Sequence, residues 1–202
     1  MKKIEGVCTA NHGRSPIFEL KGNLYLREIE ADNEYEAISS GSSVDDIANG
    51  LTPIKVMKRF VEQALDRGDV YTKLDQDLAK KALENEDEDI IRYYHDLAVD
   101  RFQAEEHVYR MEALVKFNIK GQPKKTQDQT ISRPDVIAVF PMADKNKQQV
   151  EKIYESSGYN PIIESLGIDE AFGKTREDYF RCVEQILDRV PKKIDKLLET
   201  SN

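Results

Sequence analysis

The chain has 202 residues and a formal net charge of −8, with 39% hydrophobic and 34% charged residues. This length suits one domain, or one domain that carries a large insertion. The acidic balance and the lack of a long basic run argue against general binding to nucleic acid or to a membrane surface. No apolar stretch approaches the roughly 18 residues that a transmembrane helix needs, and the first residues do not resemble a signal peptide.

The sequence contains two cysteines, Cys8 and Cys182. Two cysteines cannot make a disulfide framework, and they provide too few ligands for a cysteine-rich zinc site. We therefore expect a cytoplasmic, reduced protein with free thiols, with no metal site and no cofactor.

Strand-like and helix-like patterns alternate along the chain. Short apolar runs predict strands, at 3–8, 35–39, 135–140 and 162–166. Helical spacing and capping signals predict helices, one opened by Ser15 as N-cap, then 52–68, 74–84, 90–117, 144–157 and one from Thr175 onward. Strands separated by helices imply an α/β fold, with a four-stranded parallel sheet that helices flank.

The first predicted strand ends in a loop of the form Cys-x5-Arg-Ser, with the sequence Cys8-Thr9-Ala10-Asn11-His12-Gly13-Arg14-Ser15. In parallel sheets, ligands bind beyond the carboxyl ends of the strands, where this loop lies. A loop that runs into a helix N-terminus directs backbone N–H groups at its centre, and the helix dipole adds positive potential. The pattern predicts an anion site for phosphate or sulfate.

The residue types of this loop suit phosphoryl transfer to sulfur. The field that binds phosphate should also lower the pKa of the Cys8 thiol and give a thiolate near neutral pH. The planar fork of Arg14 can hold two phosphate oxygens. Gly13 allows close approach to the anion and backbone conformations that a β-carbon forbids. Ser15 can donate to the thiolate, and the Asn11 amide can brace the loop.

This loop, its position after the first strand and the Ser-Pro that follows resemble the low-molecular-weight protein tyrosine phosphatases, whose signature is C-x-x-N-x-x-R-S-P. Residues 135–153 are similar to the third strand and following helix of that family, and residues 168–188 to its closing segment. The resemblance covers about 1–46 and 105–198. It implies a cytoplasmic hydrolase that cleaves phosphate monoesters. The substrate would be a phosphorylated protein, with phosphotyrosine as the first expectation, or a small phosphorylated molecule.

The resemblance also implies roles for individual residues. Cys8 would be the nucleophile, Arg14 the phosphate clamp and Asp169 the general acid. The phosphate-binding residues would be Thr9, Ala10, Asn11, His12, Gly13, Arg14 and Ser15. Asp169 lies in a glycine-bounded loop shortly before the last helix, and Glu170 and Asp144 remain as other candidate acids.

The sequence departs from the family pattern near the acid. The family usually has Asp-Pro followed by aromatic residues that wall a phenyl ring, whereas here Glu170 and Ala171 follow Asp169 and leave Phe172 as the candidate wall. His12 occupies a position that is often apolar in the family. We expect His12 to form the rim of the pocket, to act as a second proton carrier in the reaction, or to be an exposed loop side chain.

Residues at about 47–104 are the largest departure, because the family crosses from its second strand to the next helix in far fewer residues. We expect two or three helices here to pack as a small lobe beside the mouth of the site. The chain is therefore interpreted as one phosphatase-like domain over 1–202, interrupted by a helical insertion at about 47–104. The sequence leaves open whether this insertion shapes substrate choice or forms a homodimer.

Three other functions share parts of the pattern. An arsenate reductase can have the same fold, but it needs further cysteines for a disulfide cascade, and Cys182 lies among apolar residues of a predicted helix. A sugar-transport phosphocarrier domain also phosphorylates a loop cysteine, whereas an arginine clamp with an acid favours hydrolysis. A non-catalytic phosphate-binding regulatory protein remains an alternative, because the usual Asp-Pro of the family is Asp169-Glu170 here.

Overall fold

The computed structural model of the protein describes residues 1–123 and 127–201. In chain order, the elements are β1 (Lys2–Cys8), α1 (Arg14–Glu28), β2 (Tyr35–Gly41), α2 (Val44–Ala48), α3 (Ile54–Arg67), α4 (Lys73–Asn85), α5 (Glu88–Lys116), β3 (Val136–Pro141), α6 (Asp144–Glu155), β4 (Ile162–Ile163) and α7 (Arg176–Ser201). The four strands form one parallel sheet in the order β2-β1-β3-β4. This confirms the predicted four-stranded parallel sheet flanked by helices.

The central strands carry the predicted buried patterns, while the edge strand is shorter than expected. β4 has two residues instead of the predicted five over 162–166. Beyond it, the backbone N–H groups of Leu166 and Ile168 still donate to the carbonyls of Pro141 and Met142. The chain therefore follows β3 to the carboxyl edge of the sheet, which brings the loop before α7 next to the end of β1.

Helix α1 begins two residues earlier than predicted. Its first residue is Arg14 and its N-cap is Gly13, so Ser15 lies inside the helix and the predicted Ser15 cap is wrong. The Ser15 hydroxyl bonds the side chain of Asn11 and the carbonyl of Ser40. A hydroxyl committed to tertiary partners is not available to cap the first turn.

Three buried apolar clusters organise the described part of the chain. The smallest packs α6 against the sheet, and the other two are larger. The first joins the sheet with α1, α7 and the end of α5. The second joins α3, α4 and the first half of α5, which we call the helical lobe. Helix α5 belongs to both, because Phe102 is buried in the lobe and Leu114 in the first core. This shared helix holds the lobe against the sheet.

The lobe helices begin and end close to the predicted positions. Gly68 ends α3 in the left-handed conformation with φ +76°, which a side chain rarely adopts. Asp87 caps α5 by accepting from the N–H of Ile90. The short helix α2 (Val44–Ala48) was not predicted, because five residues show too little periodicity. None of the described helices is both long and apolar enough to cross a bilayer.

Candidate phosphate-binding site

The loop between β1 and α1 lies at the carboxyl edge of the sheet and leads directly into the N-terminus of α1. Within the described ranges, no protein acceptor bonds the backbone N–H groups of residues 10–13. Asn11 has φ +50°, a left-handed conformation that Asn tolerates better than most residues. The loop therefore offers unpaired donors and a positive helix end at one point, as an anion site requires.

The Cys8 thiol lies at the base of this loop and is 4% exposed. Its Sγ is 3.1 Å from Oγ of Ser15. That hydroxyl is also 2.8 Å from Oδ1 of Asn11 and 3.1 Å from the carbonyl oxygen of Ser40. Since these groups are all acceptors, the Ser15 proton can turn to the sulfur once the thiol is ionised. The structure thus brings together three of the predicted site residues.

Gly13 is required for space and not for its backbone angles. Its φ of −102° is open to any residue. A β-carbon at this position, however, would collide with the carboxylate of Glu106, which α5 presses against the loop. The predicted need for an unusual conformation at Gly13 is wrong, and Asn11 is the residue that adopts one.

Arg14 is buried at the floor of the site, with 5% of its side chain exposed. Its Nη2 lies 2.8 Å from Oε1 of Glu170, and its Nη1 donates to the carbonyls of Ile168 and Asp169 at 3.4 Å. Burial lowers the pKa of the guanidinium, but the charges of Glu170 and Cys8 raise it, and the net shift is upward. These contacts hold the Arg14 guanidinium in place. The Glu170 carboxylate occupies the position that suits a phosphate oxygen.

The two neighbouring acids of the loop before α7 point to different places. Oδ2 of Asp169 accepts from Nε2 of Gln185 at 2.8 Å, and the Asp169 N–H donates to Oε1 of the same amide at 3.0 Å. Asp169 is exposed and does not line the cavity described below. Glu170 lines it and also pairs with Lys145 at 2.6 Å. The catalytic role of Asp169 stays a prediction, and its neighbour is the acid that contacts Arg14.

The charge state of Glu170 follows from these contacts. Partial burial raises the pKa of its carboxyl, but the charges of Arg14 and Lys145 outweigh this effect and hold the pKa below the ordinary range. Glu170 is therefore ionised at neutral pH when the loop holds no anion.

His12 is anchored and is not a free loop side chain. Its Nδ1 lies 2.7 Å from Oε2 of Glu106, a residue that is 7% exposed. The guanidinium of Arg110 donates to the His12 carbonyl. Glu106 and Arg110 of α5 thus hold the middle of the loop in place. The sequence revealed neither contact, because Glu106 lies 94 residues from His12 and no local pattern links the two.

A cavity of about 760 Å³ opens above the loop. Cys8 and Arg14 line it together with residues of α3 and α5. Phe172 packs edge-to-face on Phe60, with ring centroids 5.7 Å apart and an interplanar angle of 86°. The sequence identified Phe172 as the candidate wall, whereas Phe60 of the helical lobe is a second aromatic wall that it did not reveal.

The second cysteine takes no part in the site. Cys182 is fully buried in α7, and burial raises the pKa of its thiol to about 12. Over residues 1–123 and 127–201, no group of three or more His, Cys, Asp or Glu side chains could hold a metal ion.

The four-stranded parallel sheet with flanking helices places the protein among the α/β proteins, with a cysteine-containing loop after its first strand. No family model and no curated protein matches the sequence. Solved structures do match. A low-molecular-weight phosphotyrosine phosphatase from Vibrio cholerae O395 is 11% identical with a TM-score of 0.58, and the match covers all of both chains.

Two further structures agree. A protein tyrosine phosphatase from Entamoeba histolytica is 12% identical with a TM-score of 0.56 over all of both chains. Wzb from Vibrio vulnificus, solved with benzylphosphonate, is 13% identical with a TM-score of 0.54 over 97% of this chain and 99% of that one. The chain has the fold of the low-molecular-weight protein tyrosine phosphatases, as the sequence resemblance implied.

Proposed function

We propose that the protein hydrolyses phosphate monoesters through a covalent phosphocysteine at Cys8. The observation that carries this proposal is the convergence of three features in one cavity: the Cys8 thiol, the Arg14 fork and the unpaired N–H groups of residues 10–13. Nucleophile, charge clamp and oriented amides are the parts that phosphoryl transfer to sulfur needs.

The reaction would run in two displacements. The Cys8 thiolate attacks phosphorus, the S–P bond forms, and the P–O bond to the leaving group breaks as an acid protonates that oxygen. Water then attacks the phosphocysteine, the same carboxylate takes the water proton, and the S–P electrons return to sulfur. Arg14 and the loop amides follow the phosphoryl charge throughout, and the Ser15 hydroxyl stabilises the departing thiolate.

The proton would come from the loop before α7. The resemblance favours Asp169, which must first leave Gln185. Glu170 is the candidate that the geometry supports, because it already lines the cavity. A bound phosphate dianion would displace Glu170 from Arg14 and add negative charge beside it. Both changes raise the pKa of Glu170 and favour the acid form.

The substrate would carry an aryl group next to the phosphate. Phe60 and Phe172 flank the cavity and can pack on a ring. The resemblance implies phosphotyrosine, and one structural neighbour holds benzylphosphonate. An aryl phosphate such as 4-nitrophenyl phosphate is therefore the suitable first substrate.

The test compares the wild type with Cys8→Ser. We expect the wild type to release phosphate from 4-nitrophenyl phosphate in the presence of a chelator, and Cys8→Ser to lose essentially all activity while still binding phosphate. A phosphocysteine should be recovered by acid quench and mass spectrometry. Full activity of Cys8→Ser, or loss of wild-type activity with chelator, would refute the proposal.

A leaving-group series then separates the two acids. If Glu170 protonates the leaving oxygen, Glu170→Gln should slow turnover by ~10²–10⁴-fold on poor leaving groups and much less on activated ones. Asp169→Asn should show little dependence on the leaving group. The reverse pattern would assign the acid to Asp169 and require the loop to release it from Gln185.

A further inference from the structure

The helical lobe presents apolar side chains to the cavity. Val56 and Phe60 of α3 and Val99 of α5 line it together with two side chains from the segment before α3, Ile47 and Leu51. These last two are 42% and 63% exposed, so a ligand in the cavity can reach them. The part of the cavity that these side chains line is therefore suited to an apolar ligand.

Three polar side chains of this wall have partners within the protein. Nε2 of Gln63 donates to the carbonyl of Phe172 at 3.0 Å, and Nδ1 of His95 lies 2.8 Å from Oδ1 of Asp96. The guanidinium of Arg59 stacks over the ring of Phe60 at 5.1 Å. These contacts orient the wall between its apolar side chains.

The cavity is larger than one aromatic ring requires. A space of about 150 Å³ accommodates benzene, whereas this cavity has about 760 Å³. Its volume falls in the range of roughly 300–1,000 Å³ that small-molecule sites occupy. A phenyl phosphate would therefore leave much of the apolar wall uncovered.

We propose, on the basis of the phosphatase function above, that the substrate is a small phosphate monoester whose organic group is apolar and larger than one phenyl ring. The phosphate lies on the Cys8 loop and the organic group lies against the helical lobe. A phosphotyrosine within a protein should be a poorer substrate, because its flanking peptide groups would lose water against these apolar side chains.

The experiment measures kcat/KM for phenyl phosphate and biphenyl-4-yl phosphate, whose leaving phenols are of similar acidity, and for a phosphotyrosyl peptide. We expect biphenyl-4-yl phosphate to exceed phenyl phosphate by roughly ten-fold or more, as expected from burial of a second ring. The peptide should be poorer than both.

Two matched pairs of variants test the wall. Val99→Trp fills the cavity, and Val115→Trp makes the same change at an 82% exposed position on the same helix. Leu51→Gln makes the mouth polar with little risk to folding, and its control is Leu74→Gln at a 70% exposed position of α4. Each cavity variant should lower the biphenyl-to-phenyl ratio several-fold, while each control should keep the wild-type ratio.

The possible outcomes separate the two proposals. If Cys8-dependent turnover occurs but the ratio is near one, or the peptide is the best substrate, the inference on substrate class is overturned and the phosphatase function stands. If the ratio is high but unaffected by both Val99→Trp and Leu51→Gln, the lobe is not the binding wall and the inference also fails. No turnover of any aryl phosphate would overturn both.

Discussion

Replacing Glu170 by glutamine should tighten the binding of sulfate to the Cys8 loop. In the ligand-free protein, Glu170 lies 2.8 Å from Nη2 of Arg14 and competes with any oxyanion for this guanidinium. The amide of glutamine has a similar shape but no charge, so the variant removes the competitor and leaves the rest of the loop intact.

The magnitude follows from the burial of the pair. The Arg14 side chain is 5% exposed and that of Glu170 is 36% exposed. Exposed ion pairs contribute about 0–1 kcal/mol, whereas breaking a buried pair costs about 3–5 kcal/mol. A pair with one buried and one partly exposed member lies between these, at about 1–2 kcal/mol. This corresponds to a dissociation constant for sulfate roughly 5- to 30-fold lower in Glu170→Gln.

Calorimetric titration with sulfate measures this change, because sulfate stays a dianion over the acidic range in which a glutamate titrates. The lowered pKa of Glu170 sets the sign of the pH effect: as the pH falls through that pKa, Glu170 is neutralised, Arg14 is released, and wild-type affinity rises. Glu170→Gln should already bind tightly and depend less on pH. Its matched control is Glu151→Gln, which removes a carboxylate 3.7 Å from Lys147 on α6. Affinity within two-fold of the wild type would refute the competition.

Three further changes test the site and the core. Arg14→Lys should reduce kcat/KM on an aryl phosphate by ~10²-fold or more, because a point charge cannot replace the bidentate fork. Gly13→Ala should lower both the melting temperature and sulfate affinity, since its β-carbon meets the carboxylate of Glu106. Burial raises the pKa of Glu5 in β1, so its stabilising contribution is complete below the ordinary glutamate pKa and is lost as the pH rises through the raised value. Glu5→Gln should therefore increase the melting temperature at pH 7 by a few degrees and flatten its pH dependence.

The parts of the fold that short-range chemistry controls could be predicted well. The apolar run at 135–140 became a central strand, β3, because a segment of this composition gains most when both faces are buried. Gly68 ended α3 because its left-handed conformation excludes most side chains. The boundary at Ser15 was predicted wrongly, since its hydroxyl has partners on β2 and in the loop that no local signal reveals.

The candidate site likewise has one part that the sequence predicted and another that only the tertiary structure determined. The Cys-x5-Arg-Ser motif between a strand and a helix identified the candidate anion loop, because its backbone amides and helix N-terminus are consecutive in the chain. The tertiary structure decided which acid faces the loop: Gln185, sixteen residues further on, holds Asp169 outside, and Arg14 draws Glu170 inside. It also brought Glu106 of α5 onto His12. Such contacts depend on how whole helices pack. A shift of one residue along a helix changes the direction of the side chain by about 100°, so a different side chain would then face the site.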